Sequence, residues 1–231
     1  MVQPDTRALG AACDIVCLCV RSDDDVFAVV SGALLDEMRP GSVVVNHGTG
    51  TPGNATRLTD ICASRNVGVL DAPVSGGRPG AEARTLATLV GGPGDVFERC
   101  KTLFQTFSRH VVHLGNTGAG QTAKMFNNTL LMMNQAAIAD IVELALCVDM
   151  DPRSLIEALK LGSASSSALT LLNTMVTPDT VEHLSTVEAE DMHIFEAAMR
   201  ERGIDAQQAI ARGMARAIGP IRAKISPERD I

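Results

Sequence analysis

The chain has no Trp and no Tyr, and only six Phe in 231 residues. That shortage argues against a nucleic-acid surface built on stacked aromatic rings. Basic runs are missing as well. Lys and Arg total 20 against 27 Asp and Glu, a formal charge of -7, so a polyanionic partner is not expected. A small anionic substrate needs only one or two local cations and stays open. Cys13, Cys17, Cys19, Cys62, Cys100 and Cys147 form no Cys-x-x-Cys pair, and most lie in apolar runs. They read as buried, reduced thiols of a cytoplasmic protein. No stretch approaches about 18 consecutive apolar residues, so no membrane span is expected. The opening MVQPDTRALG has no apolar signal core.

What the sequence does have is an alternating first half. Residues 14–20 (DIVCLCV), 42–45 (SVVV), 67–71, 85–90 and 111–114 are short apolar runs, as expected of strands buried on both faces. Helical spacing fills residues 23–38, 53–65 and 95–107 between them. Strands alternating with helices point to a mostly parallel sheet. The pattern changes near residue 116. Residues 122–150 form a long run with apolar side chains on most of its circumference, as for a helix buried on several sides. Residues 152–161, 168–175, 185–202 and 205–224 supply further helices. The reading is an incomplete Rossmann-like α/β domain over 1–115, followed by an all-α domain over 116–231 built on one long central helix.

The first half contains a literal G-x-G-x-x-G, Gly48-Thr49-Gly50-Thr51-Pro52-Gly53, with Asp71 at the end of the next strand where a ribose-binding acid would stand. Asn46 and His47 lengthen the turn before it, and Pro52 removes an N–H where N–H groups should face a pyrophosphate. The alternative is a loop at the carboxyl edge of the sheet, a place where α/β folds still meet ligands. His47 lies in that loop. His110 and His113 lack a third ligand and do not make a metal site.

Two segments carry chemistry. Asp71-Ala72-Pro73-Val74-Ser75-Gly76-Gly77 follows a strand. The Ser75 hydroxyl and the accessible N–H groups at Gly76 and Gly77 suit a carboxylate, and a plain turn is the other reading. Gly118-Ala119-Gly120-Gln121-Thr122-Ala123-Lys124-Met125-Phe126-Asn127-Asn128 stands at the mouth of the long helix. Lys124 and Asn128 are four apart and share a helix face. A lysine on such an apolar helix must be paired or reach a cavity, and burial makes it a usable proton donor and acceptor. A lysine snorkelling at a helix end is the alternative.

Together, DAPVSGG and GAGQTAKMFNN resemble the 3-hydroxyisobutyrate dehydrogenase family, the β-hydroxyacid dehydrogenases related to 6-phosphogluconate dehydrogenase. The resemblance runs from about residue 8 to the C-terminus, and Glu143 falls where the family has a glutamate on its central helix. It implies hydride transfer between NAD or NADP and a small hydroxy-carboxylate. It further implies Lys124 as general acid/base, Asn128 beside it, and Ser75, Gly76 and Gly77 around the substrate acid group. Thr49, before Pro52, matches a cofactor contact, and Val20-Arg21 matches the Leu-Pro turn that lies along the cofactor. A homodimer or larger homo-oligomer is implied too. Two departures stand out. The family's own glycine-rich first turn has no counterpart here, so the chain reads as N-terminally truncated. Glu190-Asp191-Met192 stands where the family has Lys-Asp-Leu. The rival readings are a catalytically impaired paralogue acting as an interaction or dimerisation module, and a reductase of another small carbonyl or imine.

Overall fold

The computed structural model describes residues 2–172 and 180–215. The chain forms two compact units, Met1–Met125 and Phe126–Ile231.

The first unit is an α/β sheet domain. Its strands are β1 (Ile15–Leu18), β2 (Val43–Asn46), β3 (Gly68–Asp71), β4 (Val74–Ser75), β5 (Leu86–Gly91) and β6 (Ser108–Gly115). Its helices are α1 (Thr6–Ala12), α2 (Asp23–Val29), α3 (Leu35–Glu37), α4 (Pro52–Ala63), α5 (Gly77–Glu82) and α6 (Gly94–Phe104). The first turns of α7 (Ala119–Cys147) also belong to this unit. Strands run β1-β2-β3-β5-β4, with β6 beside β5. The β1–β2, β2–β3 and β5–β6 pairings are parallel, while β3–β5 and β4–β5 are antiparallel. The sheet is therefore mixed, because the two-residue β4 folds back against β5.

Local chemistry sets the helix ends. Ser22 and Asp25 form a capping box at the start of α2, whose first turn is Asp23-Asp24-Asp25, matching negative charge to the positive end of the helix dipole. Thr51 caps α4, and Pro52 takes the first helical position, where no N–H is needed. The helix expected over 23–38 does not run straight. Val30–Leu34 is a wide π-type turn, with Gly32 out of helical geometry at ψ -136°; a residue without Cβ tolerates that break. Val43, Val44 and Val45 are completely buried and divide between the two cores on either face of the sheet.

The second unit is all-α. It contains most of α7, then α8 (Pro152–Leu161), α9 (Ser167–Leu171), α10 (Val181–Glu201) and α11 (Gln207–Gly213). Its core joins Ala136, Ile138 and Val142 of α7 to Ile156, Ala168, Leu169 and Leu172. The ends of the helices expected at 168–175 and 205–224 lie outside the described residues.

Two expectations need correction. Only Cys62 and Cys100 are buried; Cys17, Cys19 and Cys147 are exposed, and all six thiols are free. Cys17 and Cys19 stand in and just beyond β1, at one end of the sheet order, where fewer neighbours cover them. The long helix is not buried all round, since Leu130, Ile141, Leu144 and Leu146 are exposed. By length and composition alone α7 is also apolar enough to cross a membrane.

Candidate functional site

The register aligns Leu18 with Asn46 and Asn46 with Asp71. The segments that follow β1, β2 and β3 therefore share the carboxyl edge of the parallel strands, the edge at which α/β folds receive ligands. The segment after β2 is tied down amide by amide. Gly48 N donates to Asn46 Oδ1 at 2.9 Å, Gly50 N to Gln121 Oε1 at 2.9 Å, and Thr51 N to Asp23 Oδ2 at 3.0 Å. Asn54 Nδ2 adds a second contact to Asp23 at 2.6 Å. The glycines serve close packing. A Cβ on Gly50 would lie 2.1 Å from Asp23 Oδ1, and one on Gly48 would lie 3.0 Å from the Val20 carbonyl oxygen. Three of the loop's amides are already engaged, so the G-x-G-x-x-G match does not form a phosphate cradle.

Asp71 is not a ribose ligand either. Only 1% exposed, it accepts Gly118 N at 2.8 Å and Gln121 N at 2.9 Å. A carboxylate here meets the unsatisfied N–H groups and positive dipole end of α7. Burial raises the Asp71 pKa, and the amides of α7 oppose that rise. The approach is close because Gly91 and Gly120 lack side chains; a Cβ on Gly120 would lie 2.4 Å from the Asp71 carbonyl. Asp71 and the glycines thus seat the mouth of α7 on the end of β3.

The residues singled out by sequence fall as follows. Val20 and Arg21 follow β1, half-buried and exposed respectively. The Val20 carbonyl adjoins Gly48. Thr49 is half-buried between Gly48 and Gly50. Lys124 is half-buried in the second turn of α7, three residues beyond Gln121. Gln121 is itself bound to the Gly48–Gly50 loop, so the structure brings Val20, Thr49 and the base of the Lys124 helix to one edge of the first unit. Ser75 ends β4, opposite Ala87. Gly76 and Gly77 are exposed at φ 128° and 59°, in the left-handed region that favours glycine. They turn the chain into α5. Asn128 is buried in the second unit. It donates Nδ2 to Asp191 Oδ2 at 2.7 Å and accepts from Asn127 Nδ2 at 3.0 Å. Asp191, in the segment that departs from the family pattern, is thus the partner of a predicted site residue, while Glu190 is exposed.

His47 has a structural setting. Its Nδ1 lies 2.7 Å from the Ala72 carbonyl, and its ring meets Phe104 and Phe107 edge-on. Among the described residues no group of His, Cys, Asp or Glu is arranged to hold a metal ion. No site role was read from the sequence for Gln121, Asp23, Asp191 or the buried Gln135–Glu188 pair. Their partners lie 28 to 73 residues away along the chain, and no local spacing signals them.

Two family descriptions match consecutive stretches of the chain. The NAD binding domain of 6-phosphogluconate dehydrogenase matches residues 2–115. The NAD-binding domain of NADP-dependent 3-hydroxyisobutyrate dehydrogenase matches residues 118–221. The 2-(hydroxymethyl)glutarate dehydrogenase of Eubacterium barkeri is 30% identical over 71% of this chain and 56% of its own length. The 3-hydroxyisobutyrate dehydrogenase of Pseudomonas aeruginosa is 36% identical over 65% of this chain and 48% of its own. The chain spans about half the length of the curated relatives it matches. Among solved structures, Mycobacterium tuberculosis 3-hydroxyisobutyrate dehydrogenase with L-serine superposes with a TM-score of 0.77 at 26% identity, covering 96% of this chain and 77% of that one.

Proposed function

The chain belongs to the 3-hydroxyisobutyrate dehydrogenase family, related to 6-phosphogluconate dehydrogenase, and we propose that it transfers a hydride between NAD or NADP and a small 3-hydroxyacid. The observation that carries this reading is the seating of α7. Asp71 and Gln121 fix the mouth of the Lys124 helix at the strand edge where the segments after β1 and β2 meet.

The donor set there fits the nicotinamide half of a dinucleotide. Thr49 offers a hydroxyl, the Val20 carbonyl adjoins the same loop at Gly48, and Arg21 follows it as an exposed cation. When bound, the cofactor supplies or accepts the hydride. The chain's own work is to orient and to move a proton. Lys124 Nζ takes the hydroxyl proton on oxidation and returns it on reduction, a contribution of about 10²–10⁴-fold. The Ser75 hydroxyl and the Gly76 and Gly77 amides hold the substrate carboxylate. Relatives of this chain are named for 2-(hydroxymethyl)glutarate and 3-hydroxyisobutyrate, and one solved neighbour holds L-serine. All three compounds carry a CH2OH on the carbon that bears the carboxylate, which makes that unit the first to screen.

Titration of the purified chain with NADH and NADPH, followed by nicotinamide fluorescence, is the primary test. Micromolar binding followed by oxidation of such acids supports the proposal. Absence of binding at millimolar cofactor removes it and favours an interaction module. In the active protein, Lys124→Ala lowers kcat by at least about 10²-fold with little change in cofactor affinity; normal turnover would end the acid/base role. The free thiols are consistent with a cytoplasmic setting. The exposed apolar side chains of α7 support a homodimer.

A further inference from the structure

Gln121 is 1% exposed, and each end of its amide has a backbone partner in the same short loop. Oε1 accepts Gly50 N at 2.9 Å, and Nε2 donates to the Gly48 carbonyl at 2.7 Å. Both partners have fixed roles, so the amide orientation is dictated by its neighbours. The two contacts flank Thr49 like one rung of a β-ladder made by a side chain. Meanwhile the Gln121 backbone N–H is held by Asp71. One residue therefore joins the end of β3, the loop after β2 and the helix that carries Lys124 one turn later.

We propose that Gln121 is a positioning residue: its amide clamps the Gly48–Gly50 loop so that Thr49 and Lys124 keep a fixed mutual placement for the nicotinamide. This rests on the cofactor reading above, although the clamp itself can be tested without any cofactor. The chemistry asks for one donor and one acceptor at a set separation. Asn is too short to span both partners, Leu offers neither, and an ionised Glu offers two acceptors to a loop that needs one of each. A protonated Glu restores the pattern, donating to the Gly48 carbonyl and accepting from Gly50 N.

The test compares the full chain with Gln121→Glu and Gln121→Leu by hydrogen exchange of the peptide spanning residues 47–52, near pH 8 and near pH 5.5. The Asp71 and Asp23 carboxyls lie close by, so the unaltered chain at each pH is the reference. Near pH 8 both variants exchange faster at the Gly50 amide by roughly tenfold, the scale of one lost buried hydrogen bond. Near pH 5.5 the Glu variant alone recovers protection. Nicotinamide affinity follows the same pattern, weakened in both variants and regained on acidification only by Glu. Thermal unfolding followed by circular dichroism shows that each variant is folded, and if Leu fails this check the Glu variant carries the comparison alone. Exchange in the Glu variant equal to that of the unaltered chain near pH 8 overturns the proposal, and so does equal disturbance at both pH values. If the unaltered chain binds no nicotinamide, the function reading fails while the exchange experiment still decides the clamp.

Discussion

His47 shows how much a single ring can cost or stabilise according to pH. Its Nδ1 faces the Ala72 carbonyl, its buried Nε2 has no hydrogen-bond partner among the described residues, and its flanks are Phe104 and Phe107. Burial lowers its pKa from 6.5, with the Ala72 contact opposing. The folded state therefore holds fewer protons than the unfolded state between the lowered value and 6.5. Its stabilising contribution is complete above 6.5 and is lost as pH falls through the folded value. Urea unfolding midpoints measured from pH 7.5 downward decline for the unaltered chain, and His47→Gln flattens that decline. A slope unchanged by the substitution would remove His47 as its source. The sequence placed His47 only in a loop at the strand edge. The ring's real surroundings come from Phe104 and Phe107, more than fifty residues on, and no local pattern announces them. Lys124, Ser75 and Thr49 stood out as candidates because their residue types sit inside motifs. Gln121 was not, since a glutamine in the first turn of a helix looks like ordinary surface chemistry until both its partners are seen.

At the scale of elements, α7 and α10 are joined by polar pairs where apolar packing would be the simpler solution. Gln135 Nε2 donates to Glu188 Oε1 at 2.8 Å, both side chains are buried, and Gln135 Oε1 and Glu188 Oε2 have no hydrogen-bond partner among the described residues. Burial raises the Glu188 pKa above 4.5, with the Gln135 donor opposing and the Asp191 charge adding to the rise. The sign is opposite to that for His47: the contribution is present below 4.5 and lost as pH rises through the raised value. Glu188→Gln keeps the shape and removes the titration. Its unfolding midpoint gains on the unaltered chain above that value and loses the advantage below 4.5. A constant offset across pH would show that the carboxyl does not titrate in this range. The glycines at the mouth of α7 give a second element-scale prediction. In Gly120→Ala the new methyl meets the Asp71 and Leu89 carbonyl oxygens at 2.4 and 2.5 Å, whereas at Gly162 the nearest atom is 3.9 Å away. Gly120→Ala lowers stability by about 1–3 kcal/mol, typical of overpacking. Gly162→Ala leaves it nearly unchanged, and equal effects in thermal melts would contradict the close approach. Periodicity located the main strands and the long helices because buried runs and helical stripes are written locally. It missed α1, β4 and α5. The latter two are short and meet at Ser75–Gly77, where glycine backbone geometry rather than hydrophobic spacing sets the path.

For the whole molecule, the distribution of apolar side chains on α7 is the unresolved demand on the fold. Leu130 and Leu144 are 59% and 61% exposed, with Phe126 and Ile141 exposed beside them. At about 100° per residue these four fall within roughly 60° of arc, opposite the side that carries Asn128 and Gln135. Asn128 and Gln135 bind carboxylates of α10, so the polar side of the helix is already committed and the apolar side is the one left open. Scattered surface leucines need no explanation, but a continuous apolar stripe along a helix marks a surface that is covered in use. Length and hydropathy would also let α7 cross a bilayer. Its buried amide–carboxylate pairs with α10 argue instead for a helix packed in protein, since such groups are costly in hydrocarbon. We therefore expect a second copy of the chain on the stripe. Sedimentation equilibrium of the unaltered chain gives a dimer or larger oligomer. Leu130→Glu with Leu144→Glu shifts it to monomer while the helical circular dichroism is retained, because both changes add charge on the outward side and leave the α10 contacts alone. A monomer at every concentration of the unaltered chain rejects self-association. Flotation with lipid vesicles then decides whether the stripe meets a membrane.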